Sequence, residues 1–336
     1  MPVSTVGDMR QYFMTSRANL SLKNDMQTLV EELTTGEKSD LTAHLGADQT
    51  KLNSIDRQLE MLETYAQSST SVSQLLSTMQ IALDGIDGQR SAISDALLTV
   101  NSGSSMSQIE NVSSISLSGF EMTVNTLNTR FGDRSIFGGN DVDSNPMSDP
   151  KLMMEDIRLA VSGLTTQADI QAALDTWFDD PIGGFQTFGY QGDQTGTMTR
   201  PVGSNQTINV DARADDPSLR DTMKAMALGA LAGDTSLSLD LDTRRAMQKQ
   251  AGDELLTAAS PLVNLQARIG YAEGQVEEAS VRISAQQSSY GIARNDLVLA
   301  DPFETATRLQ AVQQQLETQY TLTARLSRLS LMEYLR

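Results

Sequence analysis

The chain has no cysteine and a single histidine, His44. Without thiols there is no disulfide framework, no cysteine nucleophile and no thiolate metal site. With one imidazole, His₂ and His₃ metal centres and all but one possible histidine triad are excluded. His44 lies near a helix break and is expected to be solvated. Positive charge is also short. There are 25 Lys and Arg against 43 Asp and Glu, a formal net charge of −18. Phosphate contacts need a basic face, so nucleic acid is not an expected partner, and neither is an anionic membrane surface. No apolar run approaches the ~18 residues of a membrane span. The N-terminus lacks the apolar core of a signal peptide, so any export is expected to proceed without a cleaved signal.

Proline is missing from residues 3–145, whereas five of the eight prolines fall between Pro146 and Pro217. Residues 183–204 hold six glycines. Two proline-poor arms with helical patterning therefore flank a proline- and glycine-rich middle. The middle is also acidic: residues 131–220 carry 14 Asp and Glu against 6 Lys and Arg, a net of −8. Residues 301–336 carry four of each. An acidic middle facing solvent and a neutral end packed on protein fit that asymmetry.

The clearest pattern is Leu262, Leu265, Ile269, Ala272, Val276, Ala279, Ile283, Gln286, Tyr290, Ala293, Leu297 and Ala300, spaced by threes and fours. A 3.5-residue repeat makes a narrow seam that needs a partner helix. At ~1.5 Å per residue the segment would be about 58 Å long as a helix. Ser260 with Pro261 suggests its start. Asp301-Pro302-Phe303-Glu304 suggests a fresh helix start after it.

The N-terminal arm carries matching ladders. Leu22, Met26, Leu29 and Leu33 form one, ending at Thr34-Thr35-Gly36. Leu52, Ile55, Leu59, Leu62 and Ala66 form a second; Val72, Leu76, Met79, Leu83 and Ile86 continue it, and Ile93, Leu97 and Val100 extend it past polar Arg90. Asn101-Ser102-Gly103 is a break, and Ser105 with Gln108 is a candidate capping box. In the middle, Thr197–Val202 and Thr207–Val210 are expected strands, and Asp216-Pro217 restarts helix. The fold class expected is mainly α: a long antiparallel coiled-coil rod built from both chain ends, with a small α+β insert domain.

Five segments follow. Residues 1–38 are an N-terminal assembly helix and 39–145 the N-terminal rod helices. Residues 146–212 are a surface-facing insert domain, expected to be dispensable for folding of the core. Residues 213–300 are the C-terminal rod helices and 301–336 a C-terminal assembly helix. The expected rod seam within one subunit is Leu52, Ile55, Leu59, Leu62, Leu76 and Leu83 against Leu262, Leu265, Ile269, Val276, Ile283 and Leu297. The outer stripes, Leu22, Met26, Leu29 and Leu33 with Leu309, Val312, Leu316, Leu322, Leu326 and Leu329, lie beyond the break points. They are expected to be mobile in the free monomer, to order on assembly, and to form the assembly interface.

Chemistry-bearing motifs fail on inspection. Gly36-Glu37-Lys38-Ser39 lacks the glycine spacing of a phosphate loop. Asp141, Asp143 and Asn145 begin like a calcium loop, but Pro146 and Leu152 stand where glycine and glutamate are needed. No catalytic, cofactor-binding or metal-binding residue is proposed from the sequence.

Three local features resemble the flagellin superfamily. The first is Val3-Ser4-Thr5, a helix to Leu33 and the Thr35-Gly36 turn. The second is Asn128-Thr129-Arg130-Phe131-Gly132-Asp133-Arg134-Ser135-Ile136-Phe137-Gly138-Gly139, similar to the family's junction between N-terminal helices and insert. The third is Asp301–Gln310 followed by Leu326–Leu335, similar to the family's terminus. Ser39-Asp40-Leu41-Thr42-Ala43 departs from the pattern, because the family has prolines in this loop. The similarity is greatest to the branch that joins hook to filament, with filament flagellin as the alternative and a soluble coiled-coil adaptor as a more distant one. The resemblance implies a non-enzymatic, extracellular part of the bacterial flagellum, exported by the flagellar type III apparatus. It further implies a ring of copies, contacts with a neighbouring hook-associated protein and flagellin, an export chaperone on the C-terminal helix, and no cofactor.

Overall fold

The computed structural model describes residues 4–334, with side chains described for residues 9, 10 and 12–325. The helices are α1 (Ser4–Thr35), α2 (Leu41–Leu45), α3 (Gln49–Leu98), α4 (Met106–Leu127), α5 (Pro150–Ala160), α6 (Gln167–Asp179), α7 (Pro217–Leu231), α8 (Leu241–Thr257), α9 (Ala259–Val298) and α10 (Pro302–Tyr334). Two antiparallel hairpins accompany them: β1 (Arg130–Phe131) with β2 (Arg134–Ser135), and β3 (Met198–Gly203) with β4 (Gln206–Val210). The protein is mainly α, with long helices at both chain ends and a small mixed insert.

Local chemistry sets most element ends. Gly36 terminates α1 at φ +75°, where a side chain would be strained. Ser105 and Gln108 form a reciprocal capping box on α4. Asp216 caps α7 ahead of Pro217, and the Asp301 carboxylate accepts from the Phe303 and Glu304 amides at 2.8 and 3.1 Å. One expected cap is corrected. α9 starts at Ala259, so Ser260 and Pro261 sit inside its first turn. The break lies at Ala258 because Pro261 has no amide hydrogen for the Thr257 carbonyl and its ring crowds that group.

Two compact units divide the chain: Met1–Leu62 with Ala285–Arg336, and Glu63–Ser284. In the larger unit, α3 pairs antiparallel with the α8–α9 arm. Ser94 Oγ donates to the Gly252 carbonyl at 2.9 Å, Arg90 Nη1 to Leu255 at 2.9 Å and Gln80 Nε2 to Gln266 at 2.8 Å. Leu76, Met79 and Leu83 are buried with Leu262, Leu265, Ile269 and Val276 in one core. α4 lies against α7 at close range, because Ser113 and Ser116 hydroxyls donate to the Gly229 and Met226 carbonyls at 2.7 and 2.8 Å. A Cβ at Gly229 would come within 2.5 Å of Ser116 Oγ, so a larger residue there would displace the Ser116 hydroxyl. Buried Arg244 folds back on the turn after α7, donating to the carbonyls of Ala232, Asp234 and Leu237 at 2.8, 2.9 and 2.7 Å. Of these carbonyls only that of Ala232 has no backbone donor.

The insert is part of this unit. Trp177 meets Phe178 edge to face at 4.6 Å between centroids, and Phe178, Phe185 and Tyr190 stack in turn at 5.8 and 6.5 Å. The Trp177 indole donates to Asp156 at 2.7 Å. These rings share a continuous core with Met223 and Met226 of α7 and Leu83 of α3. Asn128 Oδ1 accepts from the Met147 amide at 2.8 Å, and its Nδ2 donates to the Met147 carbonyl at 3.0 Å, tying the end of α4 to the insert. Residues 146–212 therefore belong to the larger unit and share one core with α3 and α7.

Candidate assembly interface

The smaller unit brings both chain ends together. Beyond Gly36 the chain runs antiparallel to the segment between α9 and α10, with Glu37 bridged to Leu299. The Ala300 amide donates to the Gly36 carbonyl at 2.9 Å, and the Lys38 amide to Val298 at 2.8 Å. Arg294 clamps the junction, reaching Glu37 and Asp56 at 3.1 Å each. The hydrogen bond that it donates to Glu37, outweighing burial, pushes the guanidinium further above its already high value. Glu32, buried at the end of α1, pairs with Lys38 at 3.1 Å. Beneath them Leu45, Leu52 and Val298 form a small apolar cluster with Leu41 and Leu297.

From this base α1 and α10 pack against each other along their length. Leu22, Met26 and Leu29 on α1 are half-buried, as are Leu309 and Val312 on α10, and Leu316 is buried. The two outer stripes thus cover one another within a single chain. Leu33 and Leu322 stay 43% and 51% exposed. Leu326 and Leu329 lie outside the residues whose side chains are described. Each chain end is the other's partner.

The apolar side chains left outside are different ones. On α1 they are Met9, Tyr12, Phe13, Met14, Leu20 and Val30, with Tyr12 at 72% and Phe13 at 66% exposed; on α10 they include Phe303, at 83%, and Tyr320. Tyr12 and Phe13 meet edge to face at 6.3 Å. These exposed apolar groups make the helix pair a candidate association surface. Stripe patterning missed them because it selects periodic positions, and these fall between the stripes.

The paired-helix residues divide between the units. Leu52, Ile55 and Leu62 are buried in the smaller unit, where Leu59 and Leu297 are half-buried. In the larger unit Leu76, Leu83, Leu262, Leu265, Ile269, Val276 and Ile283 are all buried. His44 is exposed. Among the described residues no three His, Cys, Asp or Glu are placed to hold a metal, and no helix is long and apolar enough to cross a membrane.

A polar cavity of about 720 Å³ in the larger unit is lined by Gln171, Lys224, Gln250 and Glu254, among others. Lys224 contacts Asp179 at 2.7 Å and Asp175 at 2.9 Å. Burial works against its charge, but these carboxylates outweigh it and hold the ammonium above its ordinary value. Burial pushes the Glu254 carboxyl up, against the hydrogen bond from Gln250. The cleft is lined by residues of α6, α7 and α8.

Chain ends that pair as long helices, with a mixed insert carried between them, define a mainly α class. Residues 253–335 match the family model described as the bacterial flagellin C-terminal helical region. The fold matches a presumptive flagellar hook-associated protein from Vibrio parahaemolyticus at 10% identity and a TM-score of 0.53, over 74% of this chain and 96% of that one. No curated protein matches the sequence. The chain resembles the flagellin superfamily, with a hook-associated protein as a structural neighbour.

Proposed function

We propose that this chain is a structural, non-catalytic subunit of the bacterial flagellum that polymerises through its terminal helices and forms the junction between hook and filament. The observation that carries the reading is the aromatic and methionine-rich outer surface of the α1–α10 pair, on a chain whose residues 253–335 are of flagellin C-terminal type. An exposed surface of this kind is costly in isolation and is covered when copies associate. The reading includes a ring of identical copies, contacts with a neighbouring hook-associated protein and with flagellin, and export as an extracellular part through the flagellar type III apparatus without a cleaved signal. A dedicated chaperone covering α10 before assembly fits the same exposed side chains.

The test is assembly with and without that surface. Tyr12→Ser, Phe13→Ser and Phe303→Ser together should leave helical content and melting temperature near wild type, since these side chains are exposed. They should abolish polymers in sedimentation and electron microscopy. Polymerisation at the wild-type rate by the triple variant would remove the basis of the proposal. A second reading, filament flagellin, rests on the same family match. It predicts long filaments from the purified chain alone, whereas a junction subunit stops at short rings or oligomers.

A further inference from the structure

Arg200 is a half-buried cation with no partner. It lies on β3 between Met198 and Val202, opposite Ile208 of β4. Strand alternation puts it on the same face as those three side chains, all of which are buried. Arg200 is itself half-buried, yet among the described residues its guanidinium makes no ion pair or hydrogen bond. The one charge that bears on it is Arg134, of the same sign. Burial first, and then that charge, hold the Arg200 guanidinium below its ordinary value. Arg134 stands opposite Phe131 in the β1–β2 hairpin. Phe131 packs on the core that holds Met198, Val202 and Ile208. Arg134 is exposed and also has no ion pair among the described residues.

Other guanidiniums of the larger unit that lie in or near its interior are satisfied. Arg90 reaches Asp87 at 2.7 Å and Arg213 reaches Asp215 at 2.8 Å, while Arg244 donates to carbonyls. Carboxylates are not scarce either, since residues 131–220, which hold both arginines, carry 14 acidic side chains against 6 basic ones. A partly desolvated cation beside a like charge works against the folded chain. Such a local conflict is the mark of a group kept for a contact outside its own chain. An exposed arginine must shed water before it pairs, whereas folding has already removed part of the water from Arg200. Two guanidinium forks also match the geometry of a carboxylate.

We propose that Arg134 and Arg200 form an anion-binding patch that takes a carboxylate side chain of a second copy of this chain. The charge of the chain supports that occupant. Each copy has a formal net charge of −18, so copies repel one another, and a cationic patch against a neighbour's carboxylate offsets part of that repulsion. This contact rests on the polymerisation reading above and is made by the larger unit.

The test combines Arg134→Gln with Arg200→Met, which keeps a long apolar stem on the buried face. In dilute monomer the melting temperature should equal that of wild type or exceed it. The protein concentration at which polymers form, read by sedimentation at about 50 mM NaCl, should rise about tenfold or more, and the difference from wild type should shrink at about 500 mM NaCl, where the pairs are screened. Lys51→Gln with Lys151→Gln removes as much charge from exposed side chains and should leave that concentration near wild type. On the wild-type monomer a tetraglutamate peptide should shift the Arg200 Nε–Hε NMR resonance. An unchanged polymerisation concentration, an equal rise in the lysine control, or a lowered melting temperature with loss of polymers overturns the proposal. So does a shift by sulfate and not by the peptide, which would mark an inorganic-anion site. A peptide shift with self-assembly untouched would assign the patch to a different acidic protein and overturn the second copy as occupant. Polymers that ignore both substitutions, with no peptide shift, reject the patch and leave the polymerisation reading standing. A peptide shift on a wild-type chain that never polymerises rejects that reading and leaves the anion-binding patch standing.

Discussion

Replacing Ile269 by aspartate is the most demanding perturbation of the paired helices. Ile269 is 2% exposed, on the buried face of α9 in one core with Leu76 and Leu265. Removing its side chain from that environment forfeits about 1.5–3 kcal/mol of burial. The carboxylate adds a further penalty of about 2–3 kcal/mol, as for a polar group buried without a partner. The total is ~4–6 kcal/mol. For a unit of this size each kcal/mol moves the melting temperature by roughly 2–4 °C, so the shift should be about 10–20 °C. Ile269→Val keeps the seam apolar and costs about 0.5–1.5 kcal/mol, a shift of a few degrees. The introduced carboxyl is easier to bury when protonated, so the defect of Ile269→Asp should shrink between pH 7 and pH 4. Circular dichroism melts of both variants at the two pH values test the chain of reasoning. A melt of Ile269→Asp within a few degrees of Ile269→Val at pH 7 would refute it.

Glu254 offers a native counterpart. Burial raises its carboxyl, so the folded state holds the proton more tightly than the unfolded chain, whose value is ~4.3. That contribution is present below the unfolded value and is lost as pH rises through the folded one. Glu254→Gln should therefore gain more melting temperature over wild type at pH 8 than at pH 4; an equal difference at both would show that Glu254 does not titrate abnormally. Replacing residues 146–212 by a short Gly/Ser linker should markedly lower the melting temperature of the larger unit, because Met153, Phe178 and Phe185 share their core with Met226. An unchanged melt would mean that the insert folds apart. Arg244→Met should cost about 1–3 kcal/mol by leaving the Ala232 carbonyl without a donor and removing one from each of Asp234 and Leu237, read as a lower urea midpoint with an unchanged slope.

Helix ends were legible wherever a single residue dictates them. Gly36, Ser105, Asp216 and Asp301 act through their own backbone or side chain, and no distant contact is needed to read them. The α9 stripe from Leu262 to Ile283 was legible because a 3.5-residue spacing has one packing consequence. The insert was harder: its strands show as short β-branched runs, but nothing local reveals that Trp177 and Phe185 share a core with α7. Arg90 appears in sequence as a polar interruption, whereas folding aims it at the Leu255 carbonyl, far away along the chain. At the chain ends, the stripes themselves were visible. Their pairing with each other was not, since periodicity names a face and leaves its occupant open. Tyr12, Phe13 and Phe303 belong to no stripe, so only the packed pair shows that they remain uncovered.

The central claim, a junction subunit acting from outside the cell, is tested most directly by electron microscopy of a strain lacking this chain, with the culture medium assayed for flagellin. The account predicts hooks that carry no filaments and flagellin shed into the medium, with filaments restored by the wild-type chain and not by the Tyr12, Phe13 and Phe303 triple variant. Filaments of normal length on the deletion strain, or bare hooks with no flagellin in the medium, would contradict it.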